Sequence, residues 1–136
     1  MENKELYRIE IAGSKVQSVV LKDDVVTFTF ENGRVIKLND EHYYDCCERV
    51  YADFSNFPYH AERIVGKEFD TFIVKGVSDI GFLVCFENEY EIGEKVLVPC
   101  YNEQNGYYSG DLKLLIANGD KRTEVDLEGF KEDRIN

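Results

Sequence analysis

Apolar and polar residues alternate from Leu6 to Ala12, with Tyr7, Ile9 and Ile11 on one side and Arg8 and Glu10 on the other. This period of two belongs to a half-buried strand. Gly13-Ser14 interrupts it, and a second strand is expected from Val16 to Leu21. The runs from Val25 to Phe30 and from Arg34 to Leu38 are rich in β-branched and aromatic residues and flank Glu31-Asn32-Gly33. Asn-Gly between such runs predicts a hairpin, because both residues tolerate the positive φ of a type I′ turn.

The period changes after Asn39. Tyr43, Cys46, Cys47, Val50, Tyr51 and Phe54 recur at helical spacing, with Asn39 or Asp40 available as a cap. A strand would place Glu48 on the same side as Cys46 and Val50, so a helix over 40–54 is the better fit. Cys, Val and Tyr also suit strands, which leaves that alternative open. Ser55-Asn56-Phe57-Pro58 predicts a second, short helix with Pro58 in its first turn and Gly66 just past its end.

Further strands are expected at Phe69 to Val77, Gly81 to Glu87, Lys95 to Tyr101, Tyr107 or Leu112 to Ala117, and Arg122 to Leu127, with a turn at Asn118-Gly119-Asp120. A charged tail begins at about residue 128. About eight strands with one or two helices predict an α+β fold, a single domain over 1–136 with a curved, mostly antiparallel sheet. There is no internal repeat and no low-complexity linker.

Composition agrees with a folded chain and narrows its partners. Of 136 residues, 43% are hydrophobic and 13% aromatic, and only two are proline, which is too much core material for disorder. Asp and Glu number 27 against 16 Lys and Arg, a formal charge of −11. Duplex binding relies on Lys and Arg displacing counterions, so a general nucleic-acid binder is excluded. The acids are clustered. Asn39 to Glu62 carries six against Arg49 alone, and Phe86 to Glu103 carries five against Lys95 alone. No apolar leader opens the chain and no stretch approaches a membrane span, so a cytoplasmic protein is expected. By the same argument Cys46, Cys47, Cys85 and Cys100 are expected to be reduced thiols.

Catalytic sets are hard to assemble. His42, Cys46 and Cys47 lie close, but adjacent cysteines cannot easily converge on one tetrahedral zinc, and buried packing is their commoner role. A Cys-His nucleophile with His42 or His60 needs an electropositive setting, which the acidic stretch opposes. Scattered carboxylates leave hydrolytic or Mg²⁺ chemistry open without pointing to it. Phosphate loops, nucleophile elbows and zinc-helix motifs are missing from the sequence. No metal or cofactor is expected.

The unusual segment runs from Pro99 to Gly110. It holds Tyr101, Asn102, Gln104, Asn105, Tyr107, Tyr108 and Ser109 between two apolar strands. Tyrosine offers a flat face for stacking, and Asn and Gln present donor and acceptor together, which suits a base or similar heterocycle. The competing role is an irregular hairpin whose tyrosines pack on the sheet rim and whose amides satisfy the loop backbone. An anionic ligand also needs cations, and Arg49, Arg63, Lys67 and Lys113 are the candidates.

Three pieces carry a resemblance: Val25 to Leu38 with its Asn32-Gly33, the Asp45-Cys46-Cys47-Glu48-Arg49-Val50-Tyr51 segment, and Pro99-Cys100-Tyr101-Asn102 leading into Gln104-Asn105-Gly106-Tyr107-Tyr108-Ser109. Across roughly residues 16–116 the chain resembles a group of small bacteriophage and prophage proteins. The resemblance implies an accessory gene product in a bacterial cytoplasm and supplies no catalytic or binding residues. Such proteins commonly act by binding components of host defence. The first expectation is a non-enzymatic protein, as a homo-oligomer, that sequesters a small nucleotide-like immune signal. The second is an acidic inhibitor that occupies the nucleic-acid groove of a host defence protein, and the third a small metal-dependent hydrolase.

Overall fold

The computed structural model describes residues 4–41, 50–78, 80–91, 93–102 and 112–127. Among the described residues, nine strands form one antiparallel sheet: β1 (Lys4–Lys22), β2 (Val25–Phe30), β3 (Val35–Glu41), β4 (Val50–Ala52), β5 (Glu68–Ser78), β6 (Gly81–Glu87), β7 (Glu94–Asn102), β8 (Leu112–Asn118) and β9 (Lys121–Leu127). The spatial order is β4-β7-β6-β5-β1-β2-β3-β8-β9. Helical structure among the described residues is minor, a four-residue α1 (Asn56–Tyr59) and a 3-10 turn at Ala61–Arg63. The protein is therefore mostly β, and an α+β description fits only loosely.

The sheet folds on itself because β1 serves both halves. Its first part pairs with β5 and its second with β2, so Gly13-Ser14 does not end the strand as the pattern predicts. Instead, Ala12 and Gly13 adopt φ of 55° and 67°, and the register with β5 slips between Glu10 and Ser14. Such a bulge bends a strand while keeping it in the sheet. The bend brings Phe28 of β2 against Phe72 of β5, Phe86 of β6 and Phe57 of α1, with ring centroids 5.5, 5.5 and 5.2 Å away. These rings are fully buried and lie at the centre of one continuous apolar core.

The turns follow different chemistry from the one the sequence suggests. At Glu31-Asn32-Gly33 the hairpin is present, but only Gly33 has positive φ, and its N–H donates to the Phe30 carbonyl at 3.0 Å. The Phe30 N–H bonds to the Arg34 carbonyl, making a three-residue loop of type I with a glycine bulge, not a type I′ turn. The Asn32 side chain accepts from the Arg34 N–H at 3.0 Å, which favours this form. Two consecutive positive φ values, 52° and 61°, occur at Asp23-Asp24, the two-residue connection of β1 to β2. Aspartate tolerates this conformation at some cost, whereas glycine adopts it freely. Asp24→Gly is therefore expected to raise stability by about 0.5–1 kcal/mol, read from the urea midpoint.

The helix expected over 40–54 is corrected at both of its ends. Asn39, Asp40 and Glu41 finish β3, and Val50–Ala52 form β4, paired with Asn102, Tyr101 and Cys100 of β7. Residues 42–49, including Cys46, Cys47 and Arg49, lie outside the described residues. Tertiary pairing wins over the helical spacing because alternation within β4 sends Ala52 to the core while Phe54, beyond the strand, fills the core beside Phe57. The short second helix is where the sequence places it. Pro58 lies in its first turn, and Gly66 follows at φ 84° and donates its N–H to the Val16 carbonyl. The tail from residue 128 lies outside the described residues.

Candidate functional site

At the β3–β4 junction, Asp40 is a buried carboxylate, 8% exposed, on the inward side of β3. It accepts the Ala52 N–H at 2.8 Å, tying the edge strand β4 to β3 across the intervening chain. Ala52 and Cys100 form one cross-strand pair facing the core. By alternation the neighbouring pair, Tyr51 and Tyr101, faces outward. The two half-buried rings lie 5.3 Å apart with 31° between their planes, a tilted stack at the rim of the sheet.

Of the residues the sequence nominates, Tyr101 lies in this pair, and Asn102 follows it, paired with Val50. Gln104, Asn105, Tyr107, Tyr108, Ser109 and Arg49 lie outside the described residues. Arg63 is at the other end of β7. Its guanidinium holds Glu94 at 2.8 Å, and Lys67 reaches the same carboxylate at 3.4 Å. Seven residues of strand, about 23 Å, separate Glu94 from Tyr101, so Arg63 and Lys67 are not brought to the tyrosines. Desolvation pushes the Glu94 carboxyl up, but the hydrogen bonds and charges of Arg63 and Lys67 outweigh it and leave its pKa lowered. Lys113, the other cation nominated, pairs with Glu124 at 3.4 Å.

The described cysteines are not nucleophiles. Cys100 is 5% exposed, and burial, with a further contribution from the Asp40 charge, pushes its thiol pKa far up. Cys85 is fully buried on the outward side of β6, and burial raises its pKa despite Lys75 and Lys95 nearby. Both remain protonated thiols at neutral pH. In a Cys46→Ser/Cys47→Ser variant, a thiol-disulfide reagent is expected to leave Cys85 and Cys100 unmodified in the native protein and to titrate both in denaturant. Native labelling of either within minutes would refute their assignment.

Sequence reasoning missed a cleft of about 730 Å³ on the outward face of β2, β3, β8 and β9. Cross-strand register places Lys37, Ala117 and Arg122 in one row, with Ala117 in the middle. Val25, Asn39 and Leu115 line the adjoining part, all half-buried. The side chains of Lys37 and Arg122 are exposed and have no ion-pair or hydrogen-bond partner among the described residues. The signal in the sequence is weak, since each is the ordinary outward residue of an alternating strand. Among the described residues, no helix is long and apolar enough to cross a membrane. No protein-family model, no curated protein and no solved structure matches the chain.

Proposed function

We propose that the protein is a non-enzymatic binder of a small nucleotide-like molecule, which it takes up by stacking at the rim formed by β4 and β7. The observation that carries this reading is the outward Tyr51–Tyr101 ring pair, 5.3 Å between centroids, at the point where the Tyr-, Asn- and Gln-rich segment leaves β7. A base–aromatic stack contributes about 1–3 kcal/mol and accepts any planar heterocycle, so the amides that follow in the sequence would supply selectivity. With the resemblance to phage and prophage proteins, the reading becomes an accessory protein of the bacterial cytoplasm that withholds a nucleotide signal from host defence, as a homo-oligomer. Isothermal titration against cyclic nucleotides and ADP-ribose tests it. Binding of at least one, weakened about tenfold or more by Tyr101→Ala, supports it; no heat from any at tens of micromolar sinks it.

A second reading has its own observation. Glu68, Asp70, Glu89 and Glu91 line one open recess beside the β6–β7 connection, with Tyr90 89% exposed at its mouth. An acidic surface with a projecting aromatic suits a basic groove on a partner protein, the nucleic-acid-mimic alternative. Its binding would weaken steeply with salt. A host-lysate pull-down at low salt that yields no nucleic-acid-binding protein would count against it.

A further inference from the structure

We infer that the cleft on the outward face of β2, β3, β8 and β9 is an anion site that takes a phosphate ester, with the phosphate held between Lys37 and Arg122 above Ala117. This inference concerns a different face from the tyrosine pair and stands on separate observations.

Geometry supplies the first argument. Lys37 is paired in register with Ala117, and Ala117 with Arg122, so the two cations flank one small residue on a flat row. Two strand spacings put their Cα atoms about 10 Å apart. Long side chains leaning inward from that separation can both reach one phosphate over the methyl floor, and a larger residue at 117 would occupy that space. Arg122 offers a planar fork to two phosphate oxygens and Lys37 a point charge, the usual complementary pair for phosphoryl groups.

Charge supplies the second. In a chain of net charge −11, most cations with a nearby acid are paired: Arg63 and Lys67 with Glu94, Lys75 with Glu87, Arg8 with Glu5. The one acid among the described residues that lines the cleft, Glu124, is ion-paired with Lys113 at 3.4 Å. The side chains of Lys37 and Arg122 are thus left without an ion-pair partner among the described residues, on a face that carries a cleft. Their local field opposes the repulsion that the whole protein exerts on an anion.

The lining supplies the third. Val25, Leu115 and Ala117 give an apolar surface beside the cations, and Asn39 adds a donor–acceptor group at its margin. A volume of about 730 Å³ lies within the usual range for a small-molecule site. A bare inorganic ion would use the cations and leave the apolar part wet, whereas an ester with a compact planar or apolar body uses both.

The test is titration of the whole chain with sodium pyrophosphate, AMP and adenosine at low ionic strength. Pyrophosphate carries no ring, so it reports on the cleft whatever happens at Tyr51 and Tyr101. The inference expects pyrophosphate and AMP to bind, AMP more tightly, and adenosine to bind at least about tenfold more weakly than AMP. Lys37→Ala/Arg122→Ala is expected to weaken pyrophosphate about 100-fold, a factor of about ten per charge-assisted contact. Ala117→Glu, which fills the floor and adds a negative charge, is expected to do the same with both cations intact. Lys95→Ala removes one charge from another face and is expected to leave affinity within about twofold, as is Tyr101→Ala. Failure of wild type to bind pyrophosphate, unchanged affinity in both cleft variants, or an equal loss on Lys95→Ala would overturn the inference.

Discussion

Phe28→Ala is expected to lower the stability of the protein by about 4 kcal/mol, read as a large fall in the urea midpoint with little change in slope. Phe28 is fully buried and touches Phe57, Phe72 and Phe86, rings contributed by α1, β5 and β6. Truncation loses the transfer free energy of the ring, leaves a cavity and removes three aromatic contacts together. The cavity cannot collapse easily, because its walls belong to both halves of a bent sheet. Tyr59→Ala is the control: its ring is 79% exposed, and the change is expected to stay within about 0.5 kcal/mol. A loss below about 1.5 kcal/mol for Phe28→Ala would mean that the two halves are not held by this cluster.

Gly81→Ala is expected to cost about 3 kcal/mol or more and to disturb the tyrosine rim without touching it. Gly81 opens β6 opposite Pro99 of β7, and a Cβ there would land on the Val98 carbonyl oxygen, with the Pro99 Cα 3.1 Å away. Both neighbours are backbone, so relief requires β6 and β7 to separate. The same hairpin end is fixed by the Cys100 N–H donating to the Ile80 carbonyl at 2.8 Å, and Tyr101 follows directly. Lower thermal stability together with an altered Tyr51–Tyr101 near-ultraviolet circular dichroism signal is the expected result. Wild-type stability would show that the close approach of β6 and β7 is not needed.

Much of the sheet is legible in the sequence, for a physical reason. Strands such as Gly81–Glu87 and Leu112–Asn118 have long apolar or alternating runs between strong turn residues, so local pattern and tertiary environment agree. Gly119, at φ 60°, provides the turn that Asn118-Gly119-Asp120 signals. The sequence misleads where the decisive partner is distant. Residues 50–52 carry a helical apolar pattern, yet β4 exists through pairing with Cys100 to Asn102 and through the Asp40 carboxylate. The bend at Ala12-Gly13 looks like a break in sequence because the pattern cannot tell the end of a strand from a change of partner.

The candidate sites divide in the same way. Tyr101 stands out by local composition, and its partner Tyr51 does not, because it belongs to a segment with helical spacing. Lys37 and Arg122 are separated by 85 positions in sequence and meet only through β8, so no local window connects them. Arg63 and Lys67 illustrate the converse: as cations outside the acidic stretches they invite an anion, yet both are engaged by Glu94. The total charge of −11 therefore conceals two unpaired cations beside a cleft.

We propose ligand binding at two places on the outward sheet surface, a stacked base at the tyrosine rim and a phosphate in the cleft. Backbone amide NMR during titration with AMP tests it most directly. Saturable shifts are expected at Tyr51 and Tyr101 from a base stacked at the rim and, as a separate site, at Lys37, Ala117 and Arg122 from a phosphate in the cleft, with the fully buried Phe72 and Phe82 unchanged. Saturation without shifts in either group, or no shift anywhere at millimolar AMP, would contradict it.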